Sequence, residues 1–107
     1  MKGGEALVET LIAHGVDTAF TVPGESFLYA LEGMRKRPDQ IRVVSVRQEG
    51  GGAFMAEAFG KLTGRPAAVF VSRGPGSSNA AIGIHTAMQD STPMVVFVGH
   101  VNATSMG

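Results

Sequence analysis

AAVFVSRGPGSSN, residues 67–79, changes character at its midpoint. In its first half, AAVFVS, apolar, β-branched and aromatic residues run together without polar alternation, as in a strand covered on both faces. Its second half is glycine, proline, serine and asparagine, residues that turn the chain and leave backbone N–H groups available. Such a strand needs neighbours on its edges and a layer on each face, so the rest of the chain must supply them.

Three further runs match it: DTAFTV (17–22), IRVVSV (41–46) and MVVFVG (94–99). A helix-like segment precedes each of the four. Leu7, Val8, Leu11 and Ile12 form an apolar stripe at helical spacing, ended by Gly15; Phe27, Leu28, Leu31 and Met34 form the second. Phe54, Met55, Phe59 and Leu62 form the third, closed by Gly64 and Pro66, and of these Phe54, Met55 and Phe59 read as core. The fourth is expected from about Asn79 to Asp90, with Ile84 and Met88 one turn apart and Pro93 as a stop. Four repeats of helix then strand predict an α/β fold: a doubly wound parallel sheet flanked by helices.

The chain has 107 residues, 44% of them hydrophobic, which suits one small domain with one core. Nine basic residues balance nine acidic ones, so bulk charge gives no reason to expect a nucleic acid or a membrane surface as partner. Arg35-Lys36-Arg37 reads as the water-facing C-terminal end of a helix. With no cysteine, no secretory signal and no apolar run of the roughly 20 residues that span a bilayer, a cytoplasmic setting is expected.

In open parallel sheets ligands bind outside the carboxyl ends of the strands. Four segments fall there: Pro23-Gly24-Glu25-Ser26, Arg47-Gln48-Glu49-Gly50, Arg73 to Asn79, and His100-Val101-Asn102. Glu49 stands between a strand and three glycines. Read locally, it is an acid in the first turn of a helix, where the macrodipole favours it whether or not anything binds; the alternative is a carboxylate aimed at a ligand. Asn79 can likewise be no more than a helix cap, and RGPGSSN, with Asn79 in the last place, falls short of GxGxxG. His14 reads as flanking a helix end and His85 as packed within the fourth helix. No metal-ligand spacing links the histidines, so no metal site is expected among these residues.

Taken in order, GVDTAFTVPGESF (15–27) and VRQEGGGAFMAEAFGKLTGRPAAVFVSRGPGSSNAAIGIHTAMQDSTPMVVFVGHV (46–101) carry a set of motifs. Val-Pro-Gly follows the first strand, and Arg-x-Glu precedes a Gly/Ala-Phe-x-Ala-Glu helix. Gly-Pro-Gly-x-x-Asn follows the third strand, and Asp-x-x-Pro precedes the last. The set resembles the N-terminal pyrimidine-binding domain of thiamine diphosphate-dependent enzymes, closest in style to the acetolactate synthase group.

The resemblance implies that Glu49 is the catalytic carboxylate. Its counterpart hydrogen-bonds a ring nitrogen of the cofactor's aminopyrimidine and favours the imino tautomer, whose exocyclic nitrogen takes the proton from the thiazolium carbon. It also implies thiamine diphosphate contacts at Pro23, Gly24, Gly74, Pro75, Gly76 and Asn79, with Gly50, Gly51 and Gly52 clearing room for the ring. His100 falls at a substrate-side position where acetolactate synthases usually carry Gln. Arg73 and Gln48 depart from the usual small residue and His. The implied substrate is a 2-oxo acid, decarboxylated or ligated by a parent lyase or transferase.

The family's diphosphate and Mg2+ bind a separate domain through a Gly-Asp-Gly motif that does not occur in these 107 residues, and a parent of this kind can also carry FAD in a middle domain. Residues 1–107 are therefore expected to form one partial pyrimidine-binding domain, truncated and inactive alone. Its expected partners are a diphosphate-binding domain and a second pyrimidine-binding domain, in a homodimer or larger assembly, and its uncovered apolar surface should favour self-association. The residues alone leave two other readings open: a phosphate- or nucleotide-binding α/β domain using RGPGSSN as an anion loop, and a noncatalytic dimerisation module.

Overall fold

The computed structural model describes residues 3–22, 28–72 and 74–99. Along the chain, α1 (Gly3–Ala13) leads to β1 (Thr18–Thr21), α2 (Leu28–Arg35) to β2 (Arg42–Ser45), α3 (Glu49–Thr63) to β3 (Ala67–Val71) and α4 (Pro75–Gln89) to β4 (Met94–Val98). The strands form one parallel sheet in the order β2-β1-β3-β4, with Ala19 level with Ala68 and Phe70 level with Phe97. Each expected strand is present, trimmed by a residue at one or both ends.

Handedness explains which helix lies where. A right-handed crossover puts its helix on a face set by the direction in which the chain crosses the sheet. The chain runs one way from β1 to β2 and the other way from β2 to β3 to β4. The helices therefore segregate. On one face Val8, Leu11, Ala30 and Met34 pack with Ala19, Ala68 and Phe70; on the other Ala53, Ala56 and Ala80 pack with Phe20, Val69 and Val71. The fold is thus the doubly wound α/β sheet that the alternation predicts. The reversal of direction falls between β1 and β3, the crevice where such sheets take ligands.

Burial along the strands follows the order. β3 is buried at every position, while β2 and β4 are edges with Val43 and Val98 exposed. Phe70 and Phe97, neighbours in register, stack with ring centroids 4.9 Å apart. Gly64 ends α3 in the left-handed conformation, φ 73°, with its N–H on the carbonyl of Gly60. The basic run after α2 binds inward as well as facing water: Arg37 meets Glu9 at 2.6 Å and Lys36 meets Glu5 at 3.8 Å, tying α2 to α1.

Three expectations are corrected. Of the third apolar stripe only Phe59 packs against the core: Phe54 and Met55 are exposed and Leu62 is 87% exposed, whereas the residues of α3 that are buried are Gly50, Gly52, Ala53, Ala56, Glu57 and Gly60. The cause is how closely α3 approaches its neighbours. A Cβ at Gly83 of α4 would lie 2.5 Å from that of Ala53, and one at Gly60 would lie 2.6 Å from Thr92 Cγ2. Large side chains have no room between these elements and point away. Second, α4 starts at Pro75, not near Asn79, because Gly-Pro-Gly begins the helix with proline in its first turn. Third, His85 is exposed on α4, not packed, whereas His14 does sit at the end of α1, its Nδ1 2.8 Å from the carbonyl of Thr10.

The edge of the sheet away from the strand carboxyl ends is fastened by charge. Glu57, 7% exposed, accepts from Thr92 Oγ1 at 3.2 Å and lies 3.2 Å from Lys61 Nζ, which also meets Asp90 Oδ2 at 2.6 Å. The hydrogen bond from Lys61 holds the Asp90 carboxyl below the usual carboxylate range. Asp90, and then Glu57, raise the ammonium of Lys61 in return.

Candidate functional site

At the carboxyl edge, β2 hands over to α3. The N–H of Val46 donates to the carbonyl of Thr21 at 2.8 Å, and Gln48, in an extended conformation, caps α3 by accepting from the N–H of Gly51 at 3.0 Å. The cap is therefore Gln48 and not Glu49. This leaves the Glu49 side chain free for another use. It is half-buried, and its Oε1 accepts from Asn79 Nδ2 at 3.2 Å across 30 residues of sequence.

The start of α4 makes that contact sterically feasible. Gly74 is its N-cap with φ 62° and ψ −110°, a conformation suited to glycine, and Ser77 Oγ donates back to the carbonyl of Gly74 at 2.9 Å. Gly76 is buried: a Cβ there would lie 2.6 Å from Ser72 Oγ and 3.3 Å from Glu49 Oε2. Asn79 lies beyond the first turn and caps nothing in α4, whose N-cap has no side-chain hydrogen bond. Its carboxamide turns to Glu49 instead. Two helix starts thus converge on one carboxylate, and their unpaired N–H groups lend the edge a partial positive charge.

The three glycines after Glu49 divide their work. A Cβ at Gly50 would lie 2.9 Å from the carbonyl oxygen of Asn79, and one at Gly52 would lie 2.9 Å from Val46 Cγ2. These two admit the neighbouring helix and the residue that follows β2. A Cβ at Gly51 would meet nothing within 4 Å, so open space lies beside that residue.

Of the residues singled out in the sequence, Glu49, Gly74, Pro75, Gly76 and Asn79 come together at the starts of α3 and α4. Pro23, Gly24, Arg73 and His100 lie outside the described residues. Sequence reasoning missed Ser72, the polar residue that closes an apolar strand beside Gly76, and Gln48, whose capping role shows only in its contact with Gly51. It also missed Thr21, 1% exposed near the carboxyl end of β1, whose Oγ1 has no hydrogen-bond partner among the described residues. A hydroxyl at the end of an otherwise apolar strand was the available signal for Ser72 and Thr21.

Among the described residues no group of three or more His, Asp or Glu is placed to hold a metal ion, and no helix is long and apolar enough to cross a membrane. A shallow recess of about 280 Å³, lined by Asp17, Asp39, Arg42 and Arg65 among others, opens beside the starts of β1 and β2, away from Glu49.

Residues 1–107 match the family model described as "Thiamine pyrophosphate enzyme, N-terminal TPP binding domain". The chain belongs to this family. The TPP-binding domain is 38% identical over 100 residues to acetolactate synthase of Bacillus subtilis, an alignment that covers 94% of this chain and 17% of that protein. It is 39% identical over 108 residues to a probable 2-ketoarginine decarboxylase of Pseudomonas aeruginosa, covering 100% of this chain and 19% of that protein. Against pyruvate oxidase of Lactiplantibacillus plantarum the identity is 34% over 103 residues, covering 96% and 17% respectively. The TPP-binding domain therefore spans less than a fifth of the length of each of these relatives.

Proposed function

We propose that this domain supplies the pyrimidine-facing half of a thiamine diphosphate site, with Glu49 as the carboxylate that activates the cofactor. The observation that carries this reading is the setting of Glu49: at the carboxyl edge, half-buried, relieved of capping by Gln48, and with one oxygen held by Asn79. A carboxyl group so placed can share a proton with a ring nitrogen, because it is fixed in direction and partly withdrawn from water. When bound, thiamine diphosphate supplies a carbon acid that, once deprotonated, adds to a substrate carbonyl.

The chain's own residues do three things toward that end. Glu49 holds or moves a proton at one carboxylate oxygen. Gly76 lets the start of α4 lie against that carboxylate, and Asn79 fixes it. Pro23, Gly24, Gly74 and Pro75 would complete the pyrimidine pocket, and His100 the substrate side. The diphosphate and Mg2+ would be held by residues elsewhere. We assign the substrate to the 2-oxo acids because the related names include acetolactate synthase, a ketoarginine decarboxylase and pyruvate oxidase. The working enzyme is a lyase or transferase, dimeric at least, and the domain alone is inactive.

The test is exchange of the cofactor's acidic carbon-bound proton for deuterium, followed by NMR in an enzyme carrying this domain. Glu49→Gln should slow exchange by roughly 10²- to 10⁴-fold, the span of general acid–base catalysis. Exchange at the unaltered rate would remove Glu49 from this role.

A further inference from the structure

The hydrogen bond from Asn79 to Glu49 joins two helix starts that are distant in sequence, and glycines on both sides leave the space for it. Gly50 clears the backbone of Asn79, and Gly76 clears Glu49 Oε2 and Ser72 Oγ. Asn79 was expected to touch the cofactor, and its Nδ2 donates one hydrogen bond to the carboxylate. Only Oε1 of Glu49 receives it. Oε2, which lies beside Gly76, receives no hydrogen bond from Asn79.

We infer that Asn79 is a positioning residue for Glu49: by holding Oε1 it fixes the direction in which Oε2 is presented. This rests on the reading of Glu49 as the proton-sharing group. The residue type suits the task. A neutral amide orients a carboxyl group through a directional bond, without the full positive charge with which Lys or Arg would commit it to the ionised form. Both Asn79 and the bond itself lie at an exposed edge, where water competes, so the contact adds little to folding stability. Its value lies in orientation, where displacement of a reacting group by about 1 Å can cost on the order of 100-fold in rate.

Two measurements test this. In the ligand-free chain, the side-chain amide signals of Asn79 in a 1H–15N NMR spectrum should shift when Glu49→Ala removes the acceptor; unmoved signals would overturn the contact. In an enzyme carrying the domain, Asn79→Ala should slow exchange of the cofactor's acidic proton roughly 10- to 100-fold, with cofactor affinity and melting temperature close to those of the parent. Asn79→Asp keeps the shape and removes the donor, so it should slow exchange at least as much, which covers the case of an Ala variant that folds poorly. In a Glu49→Gln background neither change should slow exchange further. If Glu49→Gln slows exchange but both Asn79 variants exchange normally, the positioning role fails while the role of Glu49 stands. If Glu49→Gln itself exchanges normally, both fail.

Discussion

On one face of the sheet, α1 and α2 fill the space beneath them with Val8, Leu11, Ala30 and Met34; on the other, α3 and α4 meet through Gly50, Ala53, Ala80 and Gly83. Glycines also let α1 and α2 touch, at Gly4 and Gly33, but the volume under that contact is aliphatic. In the second layer Phe59 and Ile84 pack against the core, but most of the large apolar side chains, Phe54, Met55, Leu62, Ile82 and Met88, are exposed. The first layer is packed for stability. The second gives up buried volume so that two helix starts come close enough for Asn79 to reach Glu49. Of this outward set, Phe54 and Met55 follow Glu49 by one to two turns of α3, whereas Leu62 and Met88 lie in the last turns of α3 and α4, away from the candidate site.

This contrast can be broken or sharpened by mutation, because the two layers should respond to opposite changes in volume. Leu11→Ala, which empties the first layer, should cost about 3 kcal/mol in urea unfolding. Gly83→Val adds volume where even a Cβ lies 2.5 Å from Ala53 Cβ, and should cost about 2 kcal/mol. A tolerated Gly83→Val would mean that the helices can part, and the close-approach explanation of the glycines would fail. Thr21→Val replaces a buried hydroxyl that has no partner among the described residues and should raise stability by about 1 kcal/mol. Leu62→Lys, on the outward face of the second layer, should change the stability of the isolated chain by less than about 0.5 kcal/mol.

The smallest effect is expected at the charged fastening between Lys61 and Asp90. The folded-state pKa of Asp90 is lowered, so its contribution is full above the ordinary carboxylate range and disappears as the pH falls through the lowered value. Asp90→Asn should therefore melt slightly earlier than the parent at neutral pH and indistinguishably from it in acid. High salt should narrow the neutral gap, since the pair is exposed. A gap that persists in acid would show that Asp90 acts through something other than its charge.

The alternation of apolar runs and helical stripes was enough to read four strands, four helices and a parallel sheet, because strand burial on both faces leaves an unbroken apolar signature. The carboxyl-edge location of Glu49 followed from that topology. Its escape from the capping role did not, because both Gln48 and Glu49 can cap and only the bond from Gly51 to Gln48 decides between them. The stripe of Phe54, Met55, Phe59 and Leu62 misled for a related reason: helical periodicity finds the apolar face of α3 but not whether a neighbouring helix leaves room for it. Likewise the start of α4 was misread because Gly-Pro-Gly suits a loop and a helix start equally.

The most direct test of the account is a structure of an enzyme carrying this domain with thiamine diphosphate bound. The account predicts one Glu49 oxygen within about 2.6–3.2 Å of a pyrimidine ring nitrogen, the other still receiving Asn79 Nδ2. A ring bound away from the starts of α3 and α4, or a Glu49 carboxylate with no contact to it, would contradict it.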